Sequence, residues 1–319
     1  MIQLFNINHH KIDTSEFSNM LHDDVVIQFE KKIAEYVGAK YACAINSATN
    51  AIFLTFTMDY FLKPRTIKIP SMIPPVVANA IITSHNKVEF TDNVKWVGNS
   101  YILHKFRTYK VVDSAQKLQK NQFRKECKPN DLMIFSHYPT KPLGGLDGGV
   151  IVTDDYRKYK WFKEAVLNGM TYAENNWERN ISFPGYKMYM NSVQAEILME
   201  NFKTFGKKMG VLRKLVDIYN RELGYDNSSL HLYRIEVSDN KQFINQMRKN
   251  NIVCGIHYSA LHLNNVYYNQ NYIKPFKYNK EFLCPKSKEL QTKTVSLPMN
   301  ETLNTDEIYY IIEKVKENV

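Results

Sequence analysis

The chain has 319 residues, 44% hydrophobic and 13% aromatic, enough for one large core or two unequal ones. A charged fraction of 23% suits a soluble globular protein, and the net charge of +10 favours anionic partners, either nucleic acid or phosphorylated small molecules. Four widely separated cysteines (Cys43, Cys127, Cys254, Cys284) argue against a disulfide framework or a metal site, and no apolar run reaches the roughly 18 residues a membrane span needs.

The N-terminus, Met1 to Asn6, has no basic region followed by a long apolar one, so a cytoplasmic protein with reduced thiols is expected. Phe29 to Val37 carries apolar residues at helical spacing and Gly38 follows as a stop. Lys40 to Ile45 reads as a buried strand, Asn46-Ser47-Ala48-Thr49 as a polar turn, and Ala51 to Leu62 as a second helix. Further strands are expected at Thr66 to Ile69, Tyr109 to Val112, Leu132 to Phe135 and Gly149 to Thr153. A long helix is expected from Ser192 through Lys214 or beyond. After it come strands at Leu230 to Val237 and Ile252 to Gly255, and helices at Asn240 to Asn250 and Thr305 to Glu317. This order is the grammar of an α/β protein, with a large domain over residues 1–210 and a smaller α+β domain over 211–319.

In open α/β sheets ligands bind at the carboxyl ends of the strands, so the strand-end turns are where chemistry is sought. The first, Asn46 to Thr49, opens a helix, and its N–H groups and hydroxyls can hold an anion or simply cap that helix. The second, Asp113-Ser114-Ala115-Gln116, brings an aspartate out of a buried strand, suited to a protonated pyridine nitrogen or to a helix cap. The third runs from Phe135 to Gly149 and has four glycines among the six positions 144–149, with Lys141 just before them. A lysine there can form an imine with an aldehyde once its amine is partly unprotonated. The Lys and Arg residues are scattered, and no helix-turn-helix or basic-aromatic stripe is evident, so nucleic acid is not the expected partner.

Taken together these turns resemble the sugar aminotransferases of the DegT/DnrJ/EryC1/StrS family, which are pyridoxal-phosphate (PLP) enzymes of fold type I. The resemblance runs from about Phe29 to Pro298. Ser47-Ala48-Thr49 is similar to the family's phosphate turn, and Asp113 to Gln116 to its D-A-A-Q. Asn130-Asp131 through Phe135-Ser136 and Lys141 is similar to its strand and lysine loop. Asn168-Gly169-Met170 resembles H-G-M, and Pro184-Gly185-Tyr186-Lys187 with Gln194-Ala195 resembles a P-G-Y-N/K…Q-A segment. His257-Tyr258 with His262, and Ser296-Leu297-Pro298, resemble the small-domain signatures.

The resemblance implies a large domain with a mostly parallel mixed sheet flanked by helices, and a homodimer whose active sites are shared between subunits. It implies that Lys141 holds PLP as a Schiff base and moves the proton of transamination. Asp113 would bind the pyridine nitrogen, Gln116 would lie near the ring hydroxyl, and Ala48, Thr49 and Ser136 would hold the phosphate. Lys187 would reach the partner subunit's site, and His257 and Tyr258 would border the substrate pocket. The implied reaction moves an amino group, from glutamate, to C3 or C4 of a nucleotide-linked keto-6-deoxy sugar. Other PLP chemistry on such a sugar, or a non-catalytic regulatory role, are the alternatives. A branch that dehydrates sugars has His where Lys141 stands. Two departures stand out: Pro74 occupies the place of the aromatic that stacks on the PLP ring, leaving Met72 or a displaced side chain to cover it, and the stretch between Val94 and Tyr109 is short of a crossover helix.

Overall fold

Asp23 and Gly38 fix the ends of the first helix, α1 (Asp24–Val37). The Asp23 carboxylate accepts from the Val25 N–H, and Gly38 leaves the helix in the left-handed region at φ 79°. Between these ends Val25, Phe29, Ile33, Ala34 and Val37 form one buried face. In the computed structural model residues 1–58, 64–172, 178–268 and 283–319 are described. After α1 come β1 (Tyr41–Ile45), α2 (Ala48–Thr57), β2 (Thr66–Pro70), α3 (Pro75–Thr83), β3 (Lys87–Thr91), β4 (Tyr101–Lys105) and β5 (Lys110–Asp113). Next are α4 (Gln122–Glu126), β6 (Leu132–Ser136), β7 (Gly149–Thr153), α5 (Tyr156–Val166), β8 (Met170–Tyr172), β9 (Arg179–Ile181) and α6 (Ser192–Leu223). The chain closes with β10 (Tyr233–Glu236), α7 (Asn240–Lys249), α8 (Pro285–Lys293), β11 (Thr294–Leu297) and α9 (Thr305–Asn318). The helix expected over Ala51 to Leu62 is α2, which starts earlier because Ser47 caps it; its expected last turn, from position 59, lies outside the described residues.

The chain divides into two compact units whose segments alternate in sequence. One unit comprises Asn8–Lys63 and Ser100–Lys203 and holds a five-stranded sheet in the order β1-β7-β6-β5-β4. The helices α1 and α5 pack on β1, and α2 packs on β6 and β7. The expectation of a mostly parallel sheet is corrected here. Three of the four neighbouring pairs are antiparallel (β1 with β7, β7 with β6, β5 with β4), and only β5 and β6 run parallel. For β4 and β5 the cause is connection length. A parallel neighbour needs a crossover, which α4 lies within, whereas β4 and β5 are joined by a tight turn in which the Phe106 N–H donates to the Tyr109 carbonyl at 2.8 Å. That hairpin stands where the sequence is short of a crossover helix.

The other unit comprises Met1–Ile7, Pro64–Asn99 and Thr204–Val319. It holds the parallel pair β2 and β3, joined through α3, and the antiparallel pair β10 and β11, with α7 packed on β11, α8 and α9. The strand expected at Ile252 to Gly255 contributes only isolated bridges, Ile2 with Ile252 and Gly255 with Ser296. All four cysteines are free thiols. Among the described residues no helix is long and apolar enough to cross a membrane, and no cluster of His, Cys, Asp and Glu could hold a metal ion.

Candidate active site

The register of the five-stranded sheet gathers the strand-end turns. Gly149 pairs with Ile45 on one side and Ser136 on the other, and Asp113 pairs with Ile134. Strands β1, β6 and β5 therefore run in the same sense, and the turns that follow them leave the sheet at one edge. Gly149 is required there. A Cβ on it would lie 2.5 Å from the Ala48 nitrogen, so its bareness lets the start of α2 come against the sheet edge.

At that helix start Ser47 is occupied as a cap, its hydroxyl accepting from the Asn50 N–H at 3.2 Å. The N–H groups of Ala48 and Thr49 begin the helix, where the backbone dipole favours an anion. The turn is braced from behind. The Asn46 N–H donates to the Met188 carbonyl at 2.8 Å, and Gln194 Nε2 donates to the Asn46 carbonyl at 3.2 Å.

Asp113 is 3% exposed at the end of β5. Burial pushes its carboxyl up, while the Ala115 N–H (2.9 Å to Oδ1), the Tyr101 hydroxyl (2.8 Å to Oδ2) and the Lys141 charge pull it back towards the ionised form. Gln116 is buried three residues on, and Ser136 is half-buried at the end of β6.

The Lys141 loop folds on itself. His137 donates its N–H to the Gly148 carbonyl at 2.8 Å and accepts on its own carbonyl from the Gly145 N–H at 2.9 Å. Its ring sits 2.8 Å from the Leu143 carbonyl through Nδ1. Burial holds that imidazole at about 4, so it is neutral and its Nδ1 carries the donated proton. Asn201 Nδ2, from α6, donates to the Gly144 carbonyl at 2.7 Å and pins the loop's far side. Burial lowers the Lys141 amine from 10.5 to about 8, against the opposing pull of Asp113. A lysine so placed has a large neutral, nucleophilic fraction at mild pH.

Lys187 is exposed, on a segment fixed by close backbone crossing. The Asn168 N–H donates to the Tyr186 carbonyl at 2.8 Å, Leu167 bridges Lys187, and a Cβ on Gly169 would fall 1.7 Å from the Phe183 carbonyl oxygen. His257 and Tyr258 belong to the other unit. There His257 Nδ1 lies 2.9 Å from Ser296 Oγ, and the Tyr258 ring stacks on Trp96 at 6.1 Å. Met72, in the same unit, is fully buried, and its carbonyl accepts from Trp96 Nε1 at 3.1 Å. Sequence reasoning passed over Tyr101 and His137. Tyr101 acquires its place only through the β4–β5 register, whereas His137 was in view inside the lysine loop.

The donor set fits a phosphorylated pyridine aldehyde: an amine neutral enough to attack the aldehyde, a buried carboxylate for a ring N–H, and a helix N-terminus for the phosphate. The family model described as the DegT/DnrJ/EryC1/StrS aminotransferase family matches residues 10–97 and 104–316. The protein is therefore a PLP-dependent sugar aminotransferase with the fold of type I PLP enzymes. The chain belongs to the DegT/DnrJ/EryC1/StrS aminotransferase family.

Among curated relatives, a UDP-4-amino-4,6-dideoxy-N-acetyl-beta-L-altrosamine transaminase of Campylobacter jejuni is 23% identical over 288 residues, covering 73% of this chain and 76% of that one. Among solved structures, Helicobacter pylori PseC, an aminotransferase involved in the biosynthesis of pseudoaminic acid, superposes with TM-score 0.79 at 18% identity, covering 99% of this chain and 98% of that one. The PLP-form of the putative sugar aminotransferase Spr1654 from Streptococcus pneumoniae superposes with TM-score 0.77 at 17% identity, covering 95% of this chain and 93% of that one.

Proposed function

We propose that the chain transfers an amino group, from glutamate, to C3 or C4 of a nucleotide-linked keto-6-deoxy sugar, with Lys141 as the covalent anchor of PLP. The observation that carries this reading is a Lys141 amine lowered to about 8 by burial and lying within electrostatic reach of the buried Asp113 carboxyl. When bound, PLP supplies the electron sink that lets an amino group leave one carbon and join another. Asp113 would hold the proton on the ring nitrogen, Gln116 would serve the ring hydroxyl, and Ala48, Thr49 and Ser136 would hold the phosphate. The Lys141 amine would move the proton of the transfer. His257 and Tyr258 border the sugar, and Lys187 serves the site of a second copy in a cytoplasmic homodimer. The transaminase name of the Campylobacter jejuni relative supports a UDP-linked substrate.

The test is a half-reaction. Protein loaded with pyridoxamine phosphate is offered a panel of UDP-, GDP- and dTDP-linked keto-sugars, and return of the yellow aldehyde form is followed by absorbance. At least one keto-sugar is expected to restore the colour. No turnover with any of them, in a protein that turns over with glutamate in the opposite half-reaction, overturns the sugar assignment.

A further inference from the structure

Tyr101 opens β4 and stands directly opposite Asp113 in the antiparallel β4–β5 ladder. Residues so paired project from the same face of the sheet, which brings the phenol to the carboxylate. The Tyr101 hydroxyl donates to Asp113 Oδ2 at 2.8 Å, and the Ala115 N–H donates to Oδ1 at 2.9 Å, so each carboxylate oxygen has its own donor. The ladder is irregular one step further on. Ile102 faces Val112 but His104 faces Val111, so Leu103 is an inserted residue. A bulge of this kind twists a strand and re-aims its side chains, and this one lies next to the tyrosine that reaches Asp113.

Tyr101 lies between the two segments that the family model matches. The family model matches residues 10–97 and 104–316, so residues 98–103 fall outside it. Here the short connection makes β4 a hairpin partner of β5, and the hairpin supplies a donor to the carboxylate at the end of β5.

We propose that Tyr101 is a positioning residue for the cofactor ring, acting through Asp113: its hydroxyl orients the carboxyl group and favours the charged form that pairs with the protonated ring nitrogen. The inference rests on the reading that Asp113 binds that nitrogen. A carboxylate in so dry a place gives up its charge unless donors compensate for the lost water, and a neutral carboxyl cannot hold a proton on the pyridine. Two donors, one per oxygen, provide part of that compensation and fix the plane of the group. With Tyr101 replaced by Phe, the ring of the side chain stays and one charge-assisted bond to Asp113 is lost.

The experiment titrates the full-length apoprotein with PLP and with a PLP analogue whose ring nitrogen is replaced by carbon. Tyr101→Phe is expected to weaken PLP binding roughly tenfold, the usual size for a lost hydrogen bond to a charged group. It is expected to leave the affinity for the carbon analogue within about twofold of wild type, since that ligand makes no bond to Asp113. Unchanged PLP affinity overturns the proposal. Equal losses for the two ligands also overturn it, because they mean that the hydroxyl only supports packing. Tyr101→Leu serves in the same two-ligand comparison if the Phe chain does not fold. Asp113→Asn separates the inference from its foundation. If that variant binds PLP as wild type does, the assignment of Asp113 itself falls. If it binds poorly while Tyr101→Phe binds normally, only the inference falls.

Discussion

Lys141 shows how a single side chain is tuned by what surrounds it. Burial disfavours its ammonium form and brings the amine from 10.5 to about 8, while Asp113 pulls the other way. The sign follows directly. Only the neutral amine attacks an aldehyde, so covalent capture of PLP by the apoprotein rises with pH up to about 8 and levels off above it. A surface lysine would go on gaining rate up to about 10.4. We expect the borohydride-trapped adduct, formed at a series of pH values and counted by mass spectrometry, to follow the lower curve and to be missing from Lys141→Ala. A rate still climbing well above pH 9, or a trapped adduct in the Ala variant, would remove Lys141 from the anchoring role. The buried, neutral His137 beneath the loop serves a different purpose. Its imidazole spends its donor on the Leu143 carbonyl and helps close the turn that presents Lys141.

At the scale of elements, the ion pair between Glu30 and Lys163 ties α1 to α5. Lys163 Nζ lies 2.8 Å from Glu30 Oε1, and the same oxygen accepts from the Ala44 N–H in β1 at 2.8 Å. The Glu30 side chain is 7% exposed, so Lys163→Met would leave a buried carboxylate without its cation. Because Lys163 is itself 36% exposed, the expected cost is below that of a fully buried pair, about 2–3 kcal/mol by urea denaturation. Converting Glu30 to Gln in the Met background should recover part of the loss, and a Met variant as stable as wild type would show that the pair contributes nothing. Much of this level was legible in the sequence. The buried strand Gly149–Thr153, with its continuous apolar run, and helix α7 behind the Asp239 cap lie where local signals place them. The hairpin strand β4 was not legible. Tyr101–Lys105 mixes polar and apolar residues without clean alternation because a bulge interrupts it, and its direction depends on the length of the turn that follows. The mostly parallel sheet was implied by the resemblance alone, since strand direction is a property of connections and register and not of the strand's own residues.

At the scale of the whole molecule the residues proposed to hold the cofactor stand out in the sequence as an ordered set, because three strand-end turns with suitable chemistry follow one another along the chain. The Tyr101–Asp113 contact does not, since it exists only once the register is fixed. Lys187 belongs to this scale too, because the proposed function gives it to a second copy of the chain. Its side chain is exposed, while its backbone bridges Leu167 and the carbonyl of the next residue, Met188, accepts from the Asn46 N–H. The imidazole of His22 is lowered first by burial and then by the charges of Lys163, Arg179 and Lys187, so this part of the surface concentrates cations. In a twofold dimer a cation presented outward from one copy can meet an anion bound in the other. That arrangement predicts complementation between two inactive variants. Lys141→Ala lacks the anchor but presents a normal Lys187, and Lys187→Ala has the reverse defect. In a mixed dimer one site carries both defects and the other carries neither. Random pairing of equal amounts makes half of the dimers mixed, so about a quarter of all sites are intact. Co-expressing the two variants should therefore restore about a quarter of wild-type transaminase activity, measured against each variant expressed alone. If mixed dimers are isolated by two different tags and remain as inactive as the single variants, Lys187 does not act across a subunit boundary.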